Sequence, residues 1–482
     1  MNSTLSTAPD ATIPPRLTGQ ETRVSMSRVI LGWAFGAIFF QISAGAVYAS
    51  FARQLGASEA VFGFLAGVTP LMGFLQIPSA RLLENGFSPR SMMLWAGLSC
   101  RLLWVFAAML PMLHHVAPTL VPRELMLPAF IGCLLLSSVG QAFAGPCFFT
   151  WMTALIPDRV GPLFWARRQQ IGTIVAIFAV LGGGFIADNA GWIATRSGGE
   201  WTPLLTYSAL LTLAAVCGVM DIAVFFGVKE PHIEKKSDTL APLWQSFTEP
   251  LREREVRNYL LFIMVAMIGF ATTGPLTWLL CLETLAFDKT TTGLLITICP
   301  LAGMAVSARW WGAIAKRYGT RPMIRFTSAG MILVPIGWIL ALPNSQFALG
   351  LMLFTSGILV TAYDISNTNF ITRACPHLPR PMLTALFAIC AGTTFALFSW
   401  LSGVVAGAFD GWKWNFGGVQ FINYHLVFAF SLVPRIINAV FLAPKLEDNS
   451  ATGTREAVNE IGANFAAAFA PRFERFFGAR EE

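Results

Sequence analysis

One polar stretch, "KEPHIEKKSDTLAPLWQSFTEPLREREVRN" (residues 229–258), separates two long apolar regions of the chain. A helix needs about 20 mainly apolar residues to cross a bilayer. Six runs of that kind precede the stretch and six follow it, near residues 29–51, 60–82, 91–113, 125–150, 168–187, 203–228, 259–283, 291–313, 321–342, 346–371, 382–408 and 422–443. The sequence therefore predicts an all-α polytopic membrane protein with twelve transmembrane helices in two six-helix halves.

The composition of the 482-residue chain excludes a soluble protein. Hydrophobic residues make up 55% of the chain and charged residues only 12%, with a mean hydropathy of +0.60. So few charges cannot cover the surface of a soluble protein of this size. The formal net charge is +7, but the basic residues are spread over short loops. We therefore expect the lipid bilayer, and no nucleic acid, as a partner.

No residue pattern predicts catalysis, a metal site or a cofactor. The eight cysteines lie mostly within apolar runs, which favours a packing role over disulfide or zinc chemistry. The five histidines are scattered and lack a nearby nucleophile–base arrangement. The glycine-rich motif that binds ATP phosphates is absent from the sequence. We expect that the protein is not an enzyme and holds no metal or cofactor.

The distribution of basic residues predicts the sidedness of the chain. Lys and Arg are concentrated in the two termini and in every second loop, and they are few in the other loops. Cytoplasmic loops carry this excess, so we expect a multi-pass protein of the cell (inner) membrane with both termini in the cytoplasm. The predicted units are a disordered tail (1–28), a six-helix half (29–228), a cytoplasmic central loop (229–258), a second half (259–443) and a cytoplasmic tail (444–482) that is either frayed or an amphipathic helix on the inner leaflet.

Two connectors at corresponding places in the two halves have similar sequences. "IPDRVGPLFWA" (156–166) follows the fourth span of the first half, and "CPHLPRPMLTA" (375–385) follows the fourth span of the second half. The prolines at 157 and 162 recur at 376 and 381. Repeated halves are common among membrane transporters, so this similarity predicts parallel repeats.

The loop after the eighth span contains "GAIAKRYGTRPMIR" (312–325), which resembles the signature of the major facilitator superfamily, roughly G-x-x-x-D-R-x-G-R-R. Lys316 stands where the family has Asp. The first-half copy, "SARLLENGFSPRSM" (79–92), is weaker, because Leu83 holds the Asp position and Arg90 comes late. The resemblance implies two six-helix halves, alternating access, a cavity lined by spans 1, 4, 7 and 10, and a monomer.

The basic loops of the cytoplasmic side are candidate gates. Glycines let helix ends approach closely, and arginines can bind carboxylates or helix C-termini in one access state and release them in the other. A second interpretation is that the arginines only set the topology. The candidates are Gly86, Arg90, Arg159, Gly312, Arg317, Gly319, Arg321 and Arg380.

Polar residues also follow the four spans that the resemblance places around the cavity. A water-filled site at mid-membrane would need such residues, although small polar side chains also join transmembrane helices. The candidate substrate-binding residues are Gln41, Tyr48, Gln141, Thr273, Thr277, Trp278, Tyr363, Asp364 and Asn367.

Charged residues within the spans need partners or water. Asp364 is the candidate for proton coupling, and a fixed pair with Arg435 is the alternative. Arg101 and Asp221 lie at similar depths, and we expect them to form a structural pair.

These observations lead to one functional prediction with two alternatives. The prediction is a secondary transporter, a proton symporter that moves a small polar organic solute, sugar-like in its hydroxyl groups. The first alternative is an exporter of amphipathic compounds, which the many Phe and Met residues would serve. The second is a non-transporting membrane assembly or sensor protein, which the degenerate first-half motif favours.

Overall fold

The computed structural model describes residues 18–157, 159–198, 201–231, 248–373, 380–416 and 419–446. Twelve helices in these ranges are long and apolar enough to cross a membrane, which confirms the predicted fold class. The first half contains α1 (Gly19–Ala44), α2 (Glu59–Glu84), α3 (Pro89–Val116), α4 (Arg123–Leu155), α5 (Leu163–Asp188) and α6 (Pro203–Gly227). The second half contains α7 (Arg254–Thr284), α8 (Lys289–Tyr318), α9 (Arg321–Ile339), α10 (Gln346–Asn367), α11 (Ala385–Ala408) and α12 (Asn423–Lys445).

The first helix begins earlier than the sequence predicted. Thr18 forms a capping box with Glu21, in which each side chain binds the other residue's backbone N–H. This cap satisfies backbone donors that a helix end otherwise leaves unpaired. The prediction of a disordered tail over 1–28 is therefore wrong from residue 18 onward, and residues 1–17 lie outside the described ranges. The helix ends at Ala44, and the chain continues beyond Gly45 as a short helix, Ala46–Gln54.

Each half has a core of its own. In the first half, α1 packs on α5 and α6, and α3 packs on α4 and α6. Phe51, Leu110, Phe130 and Leu211 are fully buried between these elements. In the second half, α7 packs on α11 and α12, and α8 packs on α10. The end of the connector "IPDRVGPLFWA" is helical, because the helix that contains the span α5 starts at Gly161.

The two halves meet along two pairs of helices, α2 with α11 and α5 with α8. The contact depends on glycine. A Cβ at Gly67 would lie 2.7 Å from the Cα of Ala396, and a Cβ at Gly184 would lie 2.8 Å from the Cα of Thr290. Small residues of this kind let transmembrane backbones approach closely.

We name the two ends of the bundle from the predicted sidedness. The inner face contains Thr18 and the loops at 85–88 and 228–231. The outer face contains the loops at 55–58 and 285–288, the helix Ala190–Arg196 and a hairpin of β1 (Lys413–Phe416) and β2 (Val419–Ile422). The strands are antiparallel, with Lys413 opposite Ile422. This hairpin was not predicted from the sequence, because its two four-residue strands lie in the loop between two apolar spans.

Candidate functional site

A cavity of about 430 Å³ lies between the halves. Helices α1 to α4, the short helix Ala46–Gln54, α7 and α11 contribute its walls. Seven of the 21 described residues that line it are aromatic, namely Phe39, Phe40, Tyr48, Phe62, Trp104, Trp278 and Phe395. Its size and its mainly apolar lining with a few polar groups are typical of a site for a small organic ligand.

The polar side of the cavity comes from α2, α3 and α4. Thr69 Oγ1 lies 3.1 Å from Ser138 Oγ, and Cys100 Sγ lies 3.1 Å from Ser137 Oγ. The thiol of Cys100 also donates to Gln141 Oε1 at 3.7 Å. Hydroxyl and amide groups of this kind can both donate and accept hydrogen bonds. This side of the cavity therefore suits a ligand with hydroxyl groups.

Arg101 contributes the cationic group in the cavity wall. Its Nη2 lies 3.3 Å from Asp221 Oδ2 on α6, so the two charges that the sequence paired do meet in the structure. The guanidinium also lies over the rings of Phe39, at 4.0 Å, and Phe40, at 4.8 Å. The Nε of Arg101 is buried and has no hydrogen-bond partner among the described residues. Arg101 thus joins the ion pair to the cavity.

The predicted binding residues of the first half and of α7 fall into two groups. Tyr48, Gln141 and Trp278 line the cavity. Gln41 instead borders a smaller space of about 10 Å³ between the halves. The hydroxyl of Thr277 donates to the Gly274 carbonyl oxygen, at 2.7 Å, within its own helix.

The predicted residues of α10 lie away from this cavity. Tyr363 packs against the rings of Phe262 and Phe270. Tyr259 donates a hydrogen bond of 2.6 Å to Asn367 Oδ1, and Asp364 is exposed. The resemblance implied that α10 lines the cavity. Among the described residues, α2, α3 and α11 line it and α10 does not. The positions on α2, α3 and α11, such as Phe62, Trp104 and Phe395, had no sequence signal that separates them from ordinary lipid-facing or core aromatics.

The alternative role of Asp364, a fixed pair with Arg435, is not found in the structure. Arg435 Nη1 donates to Ser431 Oγ at 2.9 Å, and its Nη2 donates to Thr273 Oγ1 at 3.2 Å. The ion pairs between described residues do not include Arg435. Thr273, predicted to bind substrate, thus serves this buried guanidinium.

A cluster of charged side chains at the outer face joins the halves, and we call Arg53, Glu59, Glu283 and Tyr424 the outer latch. Arg53 Nε lies 2.5 Å from Glu283 Oε1, and its Nη2 lies 3.0 Å from Glu59 Oε1. The Tyr424 hydroxyl donates to Glu283 Oε2 at 3.3 Å. Burial lowers the pKa of Arg53, but the hydrogen bond and charge of Glu283 and the charge of Glu59 outweigh it and raise that pKa overall. Arg53 is therefore a permanent cation across the interface.

A second polar contact joins the halves at the same face. Asp188, at the end of α5, accepts hydrogen bonds from the backbone N–H of Lys289, at 2.7 Å, and of Thr290, at 3.0 Å. The Thr290 hydroxyl also donates to it, at 2.7 Å. A carboxylate at the start of a helix is favourable because the first N–H groups and the helix dipole both attract it. Asp188 thus caps α8 from the opposite half.

We expect Arg53→Met to loosen the outer face. The side chain of Arg53 is 28% exposed, so the pairs contribute about 1 kcal/mol, equivalent to a fivefold change in the population of the closed outer face. Spin labels at Thr119→Cys and Asn344→Cys, in outer loops of the two halves, would report this as a larger fraction of long distances. Arg196→Met, another outer-face arginine but one that lies over Trp192 of its own half, is the control. Unchanged distances in Arg53→Met would contradict a latch role.

Among the predicted gate residues of the inner face, Arg90 binds within its own half. Its Nη2 donates to the Phe226 carbonyl oxygen at 2.8 Å. Arg168, which was not among these candidates, stacks on Trp33 of its own half at 4.0 Å. Gly86 and Gly319 have positive φ angles of 87° and 80°, a conformation that favours glycine. The other candidates are exposed or half-buried, namely Arg159, Gly312, Arg317 and Arg321, and the side chain of Arg380 lies outside the described part of the chain.

Contacts between the halves are therefore unequal at the two faces. The hydrogen bonds and ion pairs that cross between described residues of the two halves are those of the outer latch, of Asp188, and of Ser399 with the Gly63 carbonyl oxygen. At the inner face, the last part of α2 turns to α4, where Ser79 donates to the Phe143 carbonyl oxygen at 2.9 Å. The structure is closed at the outer face. At the inner face, no hydrogen bond or ion pair joins a described residue of one half to a described residue of the other.

The chain matches a known family model over most of its length. A family model described as Major Facilitator Superfamily matches residues 29–378 and residues 260–477. The second match begins near the start of the second half, as a repeat of the first half would predict. No curated protein sequence matches the chain.

Solved transporter structures share the fold. The nucleoside transporter NupG is 13% identical, with 89% of this chain and 100% of that chain covered and a TM-score of 0.61. The D-xylose-proton symporter is 14% identical, with 89% and 100% covered and a TM-score of 0.62. A bacterial homologue of the human lysosomal transporter Spinster, inward-facing and occupied, is 14% identical, with 89% and 96% covered and a TM-score of 0.63. At these identities the likeness shows the fold alone.

Proposed function

The chain belongs to the Major Facilitator Superfamily, and from that membership we propose that it is a secondary transporter working by alternating access. The proposed substrate is a small polar organic solute, and the proposed driving force is a proton gradient. The observation that carries the proposal is the cavity of about 430 Å³ between two halves that are joined at the outer face. Rocking of the halves would break the outer contacts and expose the same cavity to the other side.

The lining of the cavity supports a hydroxylated, ring-shaped solute. Trp104, Trp278 and Phe395 supply flat apolar faces, while Ser138 and Gln141 supply hydrogen-bonding groups. A sugar-like molecule presents both kinds of surface, with C–H groups on its ring faces and hydroxyl groups at its edge. The nucleoside and xylose transporters that share the fold act on molecules of this kind.

An exporter of amphipathic compounds is the second candidate. The surface of the lining is mainly apolar, and a mainly apolar pocket binds apolar surface more strongly than hydroxyl groups. A solute with a large apolar part and one polar group beside Arg101 would fill this cavity equally well. Direction of transport separates the two candidates.

We also propose an orientation of the protein in the membrane. Basic residues at the inner face would place it in the cytoplasm, with both termini on that side of a bacterial inner membrane and the protein acting as a monomer and symporter. The arginines of the inner face, Arg90, Arg159, Arg317, Arg321 and Arg380, would then meet the opposite half when the inner face closes.

The proposed function is tested by flux into proteoliposomes. Sugars, nucleosides, organic acids and cationic dyes are screened, with and without a pH gradient, against the variant Ala66→Trp, which fills the cavity without touching the outer latch. We expect one solute class to enter with the wild type and not with Ala66→Trp, at unchanged thermal stability. Absence of flux for every solute, with and without the pH gradient, would favour the non-transporting assembly or sensor protein.

We expect Asp364→Asn to uncouple transport from protons. Asp364 would carry the proton, and an amide cannot, so proton-driven uptake falls at least about tenfold. Exchange of labelled for unlabelled solute, which needs no net proton movement, stays within about twofold. Asp410→Asn changes an exposed carboxylate of the outer face and serves as the control. Undiminished proton-driven uptake by Asp364→Asn would remove this residue from the coupling mechanism.

A further inference from the structure

We propose that the second half binds one small monovalent anion, of the size of chloride, between α7, α9, α10 and α12. The site is separate from the central cavity and goes beyond the proposed transport function. Arg435 provides its charge, and Ser328, Tyr363 and Asn438 complete its wall.

The charge of Arg435 is buried without a counter-ion among the described residues. Arg435 is only 6% exposed, and its neighbours Ser431 and Thr273 are neutral. No described carboxylate forms an ion pair with it. A buried cation without a counter-ion is strongly unfavourable in a low-dielectric surrounding. An anion beside the guanidinium would remove this imbalance.

Three further polar groups beside Arg435 lack hydrogen-bond partners among the described residues. The Tyr363 hydroxyl, the Ser328 hydroxyl and the Asn438 Oδ1 are buried and have no hydrogen-bond partner among the described residues. All three residues border the same small space of about 20 Å³, with Arg435 on its wall. That volume exceeds what one water-sized particle needs and is far below that of an organic solute. Both hydroxyls can donate to an anion, as can the Asn438 amide after its oxygen and nitrogen exchange places.

The first half contains a similar charged group together with its counter-ion. Asp221 of α6 packs on Gly36 of α1, whose Cβ would lie 2.9 Å from Asp221 Oδ2. Arg435 of α12 packs on Gly269 of α7 in the same way, since a Cβ there would lie 3.1 Å from Arg435 Cγ. In the first half, α3 supplies the counter-ion Arg101. In the second half, the corresponding helix α9 supplies the neutral Ser328, which leaves the place of the counter-ion to a bound anion.

The experiment measures binding of radioactive chloride to the purified full-length protein by equilibrium dialysis, with gluconate holding the ionic strength constant. We expect one chloride per chain in the wild type and a rise in Tm of about 3 °C on replacing gluconate by chloride. Both effects should vanish in Arg435→Gln and weaken at least tenfold in Ser328→Ala. The control Ser356→Ala, a buried serine bonded within its own helix to the Leu353 carbonyl oxygen, should bind as the wild type does.

A further variant keeps the proposal testable if Arg435→Gln does not fold. Ser328→Asp places a carboxylate where the first half has its counter-ion, so it should fold, retain the Tm of the chloride-bound wild type in gluconate, and bind no chloride. A wild type that binds no chloride, or chloride binding that Ser328→Asp leaves intact, would overturn the proposal. A bromide-soaked crystal with no anomalous signal beside Arg435 would overturn it in favour of a bound water.

Discussion

Substitution of Gly67 by leucine is expected to hold the outer face open and to reduce transport about 100-fold. The residue lies where α2 crosses α11, and even a Cβ there would lie 2.7 Å from the Cα of Ala396 and 3.0 Å from its carbonyl oxygen. Both neighbouring atoms are backbone, so they cannot move aside as a flexible side chain would. Overpacking of this kind costs about 3 kcal/mol, which is about 100-fold in the population of the closed outer face.

Gly67→Leu is tested by measuring distances between spin labels and by measuring solute uptake. Spin labels at Thr119→Cys and Asn344→Cys should shift almost entirely to the long-distance population in Gly67→Leu, and solute uptake should fall in parallel. Gly73→Leu is the matched control, because Gly73 lies in the same span with nothing within 4 Å of an added Cβ. Full uptake by Gly67→Leu would mean that the outer face does not need to close as this structure shows it.

Removal of either member of the Arg101–Asp221 pair is expected to destabilise the first half by about 3 to 5 kcal/mol. Arg101 is 4% exposed and Asp221 is 7% exposed. Each single variant, Arg101→Met or Asp221→Leu, leaves an uncompensated charge away from water. The double variant removes both charges and keeps most of the volume, so it should recover most of the lost stability.

Two measurements check the expected result, unfolding in detergent and uptake into proteoliposomes. A double-mutant cycle on the free energy of unfolding gives the strength of the pair. Uptake by the double variant shows whether Arg101 also serves the cavity, where its Nε is without a partner among the described residues. We expect the double variant to be stable but to have lost uptake. Single variants as stable as the wild type would exclude a structural role, and full uptake by the double variant would exclude a role in the cavity.

The candidate site could be predicted only in part. Gln141 and Trp278 were found because an amide or indole within an apolar span is conspicuous, and the structure places both in the cavity wall. Asp364 was chosen on the same ground, yet it lies on an exposed part of α10. Phe395 was missed because an aromatic residue in an apolar helix has the same sequence pattern whether it faces lipid, core or cavity.

The sequence by itself determined the number of membrane spans, their division into two halves and the family. Each of these features depends on local properties, the length of apolar runs and the residues of one loop, which do not require knowledge of neighbouring helices. The tertiary structure decided which face is closed, that α11 supplies part of the cavity wall, and that Arg435 has no carboxylate among its described partners. Those features depend on the rotation and approach of helices distant in sequence, which packing between side chains and glycine contacts such as Gly67 with Ala396 set.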